Sequence, residues 1–208
     1  MLRIIFIALL ICSFSFTPGN EDPVKLDGVL DKDEWAGAKE FDLSAGGKIY
    51  VLHKGNELYI GIRSTVRGWA HVYIHRNDSV QVLHASAALG KQLYTKGPEN
   101  WKLQQKFNWE LRDILYNDAL REKQEKYFVQ NGWVANNNNM ADKQTFEFRI
   151  NIGNTANLSY AALVTADAKS ISAYPAQLTD DTILKELATG NSPDNLQFNL
   201  SAWAKLIR

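Results

Sequence analysis

Trp69, His71, Tyr73 and His75 stand at alternate positions and interleave two imidazoles with two polar-edged aromatic rings. In an extended chain alternate side chains share a face. These four therefore line one face of a strand, and Ala70, Val72 and Ile74 line the other, which is plainly apolar. Rings set along a strand form a flat platform that can stack on the faces of sugar rings, with imidazole and phenol as hydrogen-bond partners. Tyr59, Arg63, Glu147 and Arg149 fall in other alternating stretches, and they join this platform if their strands neighbour it. Trp101 is a further candidate, at the rim of a cleft. The competing structural reading is a row buried under helices inserted later in the chain.

Other chemistries find less support. His71 and His75 lie about 13 Å apart along the strand, too far to hold one metal ion directly. His84 or His53 could pair with either, although no spacing demands it. A haem would need an axial histidine, which the chain could supply, but there is no Cys-x-x-Cys-His attachment motif. Ser79 and Ser86 stand near His75 and His84 without a Gly-x-Ser-x-Gly elbow around either. No Gly-rich loop cradles phosphate. The reading is a non-catalytic chain for which no cofactor is expected. Calcium stays open, without an Asp/Asn/Gly loop of regular spacing to support it.

The elements that would position these residues are mostly strands. Lys48–His53 and Leu58–Arg63 alternate on either side of Lys54-Gly55-Asn56, the pattern of a β-hairpin. Leu58, Ile60 and Ile62 face its core, with Tyr59 and Arg63 on the opposite side. Trp69–His75 and Ser79–Ala85 flank an Asn77-Asp78 turn. Thr145–Ile152 alternates strictly, Leu158–Thr165 reads as another strand, and Asn195–Trp203 could close the sheet. Helical spacing from Trp109, a candidate cap at Asn108 and a stop at Asn131-Gly132 predict one or two helices at about 108–131. Trp133 is expected to pack this insertion onto the strands, and Asn136–Asn139 to form a polar loop. A short helix is predicted at Thr182–Leu187, capped by Asp181. The expected architecture is a mostly β, antiparallel sandwich with a helical insertion around 108–131.

Met1-Leu2-Arg3, the apolar run Ile4–Cys12 and the polar exit to Asn20 have the form of a signal peptide, too short to span a bilayer as a helix. Residues 1–19 are read as that signal and 20–208 as one domain, exported to the periplasm, the cell surface or the medium. Ile11 before Cys12 argues against lipidation. Without its leader the chain would hold no transmembrane segment and no thiol. The 23 basic and 23 acidic residues balance, so no broad field favours nucleic acid. Six tryptophans and eight tyrosines are more than a core of this size needs, and suit a surface that touches a ligand.

The stretch Lys25-Leu26-Asp27-Gly28-Val29-Leu30-Asp31-Lys32-Asp33-Glu34-Trp35-Ala36-Gly37-Ala38 resembles the opening of family-9 carbohydrate-binding modules and their DOMON-like relatives. Asn56–Ile60 and Glu147–Ile152 fit the same pattern, and the helical insertion departs from it. Within it, Asp27-Gly28 is expected to make a tight turn, Asp31–Glu34 to start a helical turn and Trp35 to plug the end of the sandwich. The resemblance implies an immunoglobulin-like sandwich, often non-catalytic and often exported. The sugar-contacting rings and calcium ligands of that family have no matched positions here, so no residue role is carried over. The functional expectation is binding of a carbohydrate or related small ligand. The alternatives are an envelope structural or protein-interaction domain, and a haem or metal module.

Overall fold

The computed structural model describes residues 24–106, 118–138, 144–155, 157–167 and 169–206. Residues 1–19, read as a signal peptide, and Asn108 and Trp109 lie outside the described residues. The chain first lays down β1 (Lys39–Asp42), β2 (Gly47–Lys54) and β3 (Glu57–Ser64), then β4 (Trp69–Arg76), β5 (Ser79–Ala85), β6 (Leu89–Lys96) and β7 (Trp101–Gln105). Helix α1 (Asp118–Asn131) precedes β8 (Trp133–Asn138) and β9 (Gln144–Asn151). After β10 (Leu158–Thr165) and β11 (Ile171–Tyr174) come α2 (Thr182–Ala188), β12 (Asn195–Leu196) and β13 (Ala204–Lys205). One sheet has the order β1-β2-β3-β9-β8, and the other β11-β10-β4-β5-β6-β7-β12, with β13 alongside β10. The pairings are antiparallel.

The two sheets pack face to face as a sandwich. Leu58, Ile60 and Ile62 of β3 and Phe146, Phe148 and Ile150 of β9 meet Ala70, Val72 and Ile74 of β4 in one buried cluster. The period-two patterns predicted these inward sets, because a strand with one face in the core must alternate. The β2–β3 hairpin turns at Gly55-Asn56 as expected, and Asp181 caps α2 by accepting from Leu184 N–H at 3.0 Å. Among the described residues no helix is long and apolar enough to cross a membrane.

Three expectations are corrected. Asn136–Asn138 form the end of edge strand β8 and not a loop; Asn139 is outside the described residues. A polar strand is tolerated there because its amides have partners: Asn136 Nδ2 donates to the Leu26 carbonyl at 2.8 Å and Asn137 Nδ2 to the Ser86 carbonyl. Trp35 does not plug the end of the sandwich. It packs with Val24, Leu30 and Tyr59 on the outer face of the first sheet, where Gly61 leaves room. A Cβ on Gly61 would meet Leu30 and Trp35 side chains at 2.7–3.0 Å. Finally, α1 does not cover the Trp69–His75 row. It packs Tyr127 and Phe128 beside β8, with Tyr127 edge-on to Trp133 at 5.7 Å, so Trp133 does seat the helix. The row is covered by the C-terminal segment instead.

Candidate ligand-binding site

Strand β4 delivers Trp69, His71, Tyr73 and His75 to the outer face of the second sheet, as the alternation requires. Each ring is then held by a different partner. Trp69 Nε1–H donates to the Ala188 carbonyl of α2 at 2.9 Å. Tyr73 is fully buried, donates to the Leu184 carbonyl at 2.9 Å and meets the Trp203 ring edge-on. His75 Nδ1 lies 3.4 Å from Ser159 Oγ, and the His75 ring stands perpendicular to Trp101 at 5.7 Å. Trp101 is itself buried against Phe198. Four apolar residues of the C-terminal segment (Leu178, Leu184, Leu187 and Leu196) pack around these rings. An aromatic row on an outer face is apolar enough to need a cover, and this segment supplies it.

The cover is incomplete at one end. Beyond α2, a cavity of about 280 Å³ is lined by Trp69, His71, His84, Ser86, Ala188, Thr189 and Gly190. His84 stands opposite His71 in the β4–β5 register. Its Nδ1 lies 3.3 Å from His71 Nε2, and its Nε2 lies 3.0 Å from Ser86 Oγ. Ser86 Oγ in turn contacts the Ala88 main chain, donating to its carbonyl at 3.3 Å and accepting from its N–H at 3.2 Å. Burial pushes His84 down to about 3. Burial, reinforced by the neighbouring His84, also holds His71 well below the ordinary histidine range, while the Ala188 carbonyl pulls weakly the other way. Both imidazoles are therefore neutral at physiological pH. His71 Nδ1 is buried and makes no hydrogen bond among the described residues, and the Ala188 carbonyl is engaged by Trp69.

The structure brings Trp69 and His71 to this cavity and leaves the other candidates elsewhere. Tyr73, His75 and Trp101 continue the row beneath the C-terminal cover. Tyr59, Arg63, Glu147 and Arg149 belong to β3 and β9 of the other sheet, so their strands do not neighbour β4 and they do not join the row. Arg149 instead anchors α1. It makes a two-bonded pair with Glu57 at 2.8 and 2.9 Å, reaches Glu125 at 3.1 Å, and lies over the Phe128 ring at 3.9 Å. Tyr59 O–H donates to the same Glu57 carboxylate at 2.6 Å. Burial alone would raise Glu57, but the Arg149 and Tyr59 hydrogen bonds outweigh it and lower the carboxyl. Arg63 donates to the Leu30 carbonyl at 3.3 Å and so helps hold the N-terminal segment. Replacing Arg149 by alanine is expected to cost about 1–2 kcal/mol, since Glu57 is partly solvated and loses a bidentate partner. Chemical denaturation would measure this, and an unchanged midpoint would refute the anchoring role.

The sequence put forward His84 only as a metal or haem ligand, and Ser86 and Thr189, which also line the cavity, were not among the ligand-binding candidates. A signal for His84 existed. Counting back from a two-residue Asn77-Asp78 turn places it directly across from His71. Ser86 lies past the end of β5, where register no longer fixes a position.

No family model matches the chain, and no curated protein does. Among solved structures it is similar to a family-9 carbohydrate-binding module from Caldicellulosiruptor kristjanssonii in complex with cellotriose, at 13% identity and a TM-score of 0.39, covering 72% of this chain and 78% of that one. It is also similar to a candidate carbohydrate-binding protein from Bacteroides uniformis, at 10% identity and a TM-score of 0.43, covering 86% of this chain and 83% of that one.

Proposed function

We propose that the chain is an exported, non-catalytic domain that binds a saccharide, or a related small polyol, in the cavity beside Trp69. The observation that carries this reading is the make-up of that cavity. One wall is a half-buried indole fixed in orientation by its bond to the Ala188 carbonyl, and the polar groups around it (His71, His84, Ser86 and Thr189) carry no charge. Stacking on an indole combined with neutral donors and acceptors suits a ring that is apolar on its faces and hydroxylated at its edges. The family-9-like opening at Lys25–Ala38 points the same way. Export rests on the leader-like residues 1–19.

Titrating soluble oligosaccharides while following tryptophan fluorescence tests the proposal. A saturable change is expected, lost in Trp69→Ala and retained in Trp101→Phe, whose ring lies under the C-terminal cover. Saturation that survives Trp69→Ala would place the ligand elsewhere.

A second reading is favoured by one specific observation, the full burial of Tyr73 under α2. If most of the row serves only to seat the C-terminal segment, the domain is an envelope structural or protein-interaction module. Absence of any sugar response from a well-folded protein would support that alternative.

A further inference from the structure

The His71 and His84 rings bring two nitrogens face to face, both at the wall of one cavity. Two nitrogens bound to one tetrahedral ion at about 2.0–2.1 Å each are separated by roughly 3.3–3.4 Å. The separation of His71 Nε2 and His84 Nδ1 is 3.3 Å. We propose that these two nitrogens form a two-histidine site for a divalent transition-metal ion of the Zn²⁺ or Cu²⁺ type, with its remaining coordination positions open to the cavity.

The surroundings match what such ligands require. A metal-bound histidine donates its other ring N–H to an oxygen acceptor, which fixes the ring and raises its basicity. On the outer side of His84 that oxygen is Ser86 Oγ, 3.0 Å from Nε2. For His71 the nearby oxygen is the Ala188 carbonyl, which acts on the ring. Without metal, one proton lies between the two rings and His71 Nδ1 is a buried nitrogen with no hydrogen bond among the described residues, an unfavourable state. When the ion enters, two N–metal bonds form and the proton between the rings moves to His71 Nδ1. No proton leaves the pair in this step. Imidazole nitrogens suit zinc and copper, whereas calcium and magnesium select oxygen ligands. Among the described residues no third His, Cys, Asp or Glu joins the pair. The other positions on the ion therefore fall to water, or to oxygens of a molecule in the cavity of about 280 Å³. The site shares its cavity with the proposed saccharide but does not depend on it.

The test uses the untagged protein and Zn²⁺ alone, at about pH 7.5 where the imidazoles are neutral. Calorimetry should give one ion per chain. Long-range ¹H–¹⁵N spectra of the wild-type protein should move the ring nitrogens of His71 and His84 and leave those of His53 and His75, the only other histidines, in place. Ser86→Ala, which removes an outer-shell oxygen and neither ligand, should weaken binding about tenfold. His71→Gln should abolish uptake while the circular dichroism is unchanged. Absence of saturable uptake, or shifts confined to His53 and His75, would overturn the proposal. Saccharide titration in the presence of chelator tests the polyol reading separately, so either can fail alone.

Discussion

Glu147→Ala is expected to lower the unfolding free energy by about 3 kcal/mol, although the residue does not line the cavity. The Glu147 side chain is the point at which the N-terminal segment is fastened to the first sheet. Its Oε2 accepts from the main-chain N–H groups of Asp27 and Gly28 at 3.0 and 2.7 Å, and its Oε1 accepts from Trp35 Nε1–H at 3.1 Å. Burial pushes this carboxyl up to about 8 against the pull of the donors. Alanine removes all three bonds in either protonation state and leaves two amides and an indole N–H under a partly buried cover. Gly28 cannot adapt. Its φ is +81°, and a Cβ there would approach the Asn137 carbonyl carbon at 2.5 Å, so the turn has no slack to find other partners. The denaturant midpoint should fall without a change of m-value, and Trp35 emission should shift to the red. A loss below about 0.5 kcal/mol, the usual range for surface substitutions, would mean that the segment is held by apolar contacts alone.

The second large effect is on acid stability. His84 titrates near 3 in the folded chain against 6.5 when free, and His71 is displaced in the same direction. A depressed histidine binds fewer protons folded than unfolded, so its neutral burial is harmless above about pH 6.5 and increasingly unfavourable below it. Each pH unit in that window costs about 1.4 kcal/mol per histidine. At pH 5, His84 alone should subtract roughly 2 kcal/mol, with His71 adding to it. Urea unfolding in chelator at pH 7.5 and pH 5 measures the difference, and His84→Gln should flatten it. An equal acid loss in that variant would assign the effect to other groups.

Much of the sandwich was legible because strands with one face in the core must alternate. Leu58, Ile60 and Ile62 announced an inward face, and so did Ala70, Val72 and Ile74. Strands lacking that contrast were missed: β1 reads Lys-Glu-Phe-Asp with little buried, and β6 and β7 mix lysine and glutamine with their apolar residues. The polar strand β8 looked like a loop because its asparagines are satisfied by the Leu26 and Ser86 carbonyls, groups 110 and 51 residues distant in the chain. The Trp69–His75 row was visible for the same reason as the core. What lay over it was not, since period two says which side chains share a face and nothing about which segment will cover them. Tyr59, Arg63 and Arg149 illustrate the complementary difficulty. Their outward direction was predictable, but assigning them to a sheet needed the strand order.

The seating of α2 has a consequence for how this domain can change. Both polar anchors of the helix, from Trp69 and Tyr73, grip main-chain carbonyls, those of Ala188 and Leu184. A carbonyl is present whatever the side chain, so the grip places no demand on the identity of the residue that provides it. The inward Leu184, Leu187 and Ala188 are fixed by packing, and Ile183 packs against the same cluster. Positions 185, 186 and 189 are thereby left open to substitution, and Thr189 lines the cavity. The helix is a replaceable cassette, through which selection or a designer can rewrite one wall of the cavity while its dock on the sheet stays unaltered.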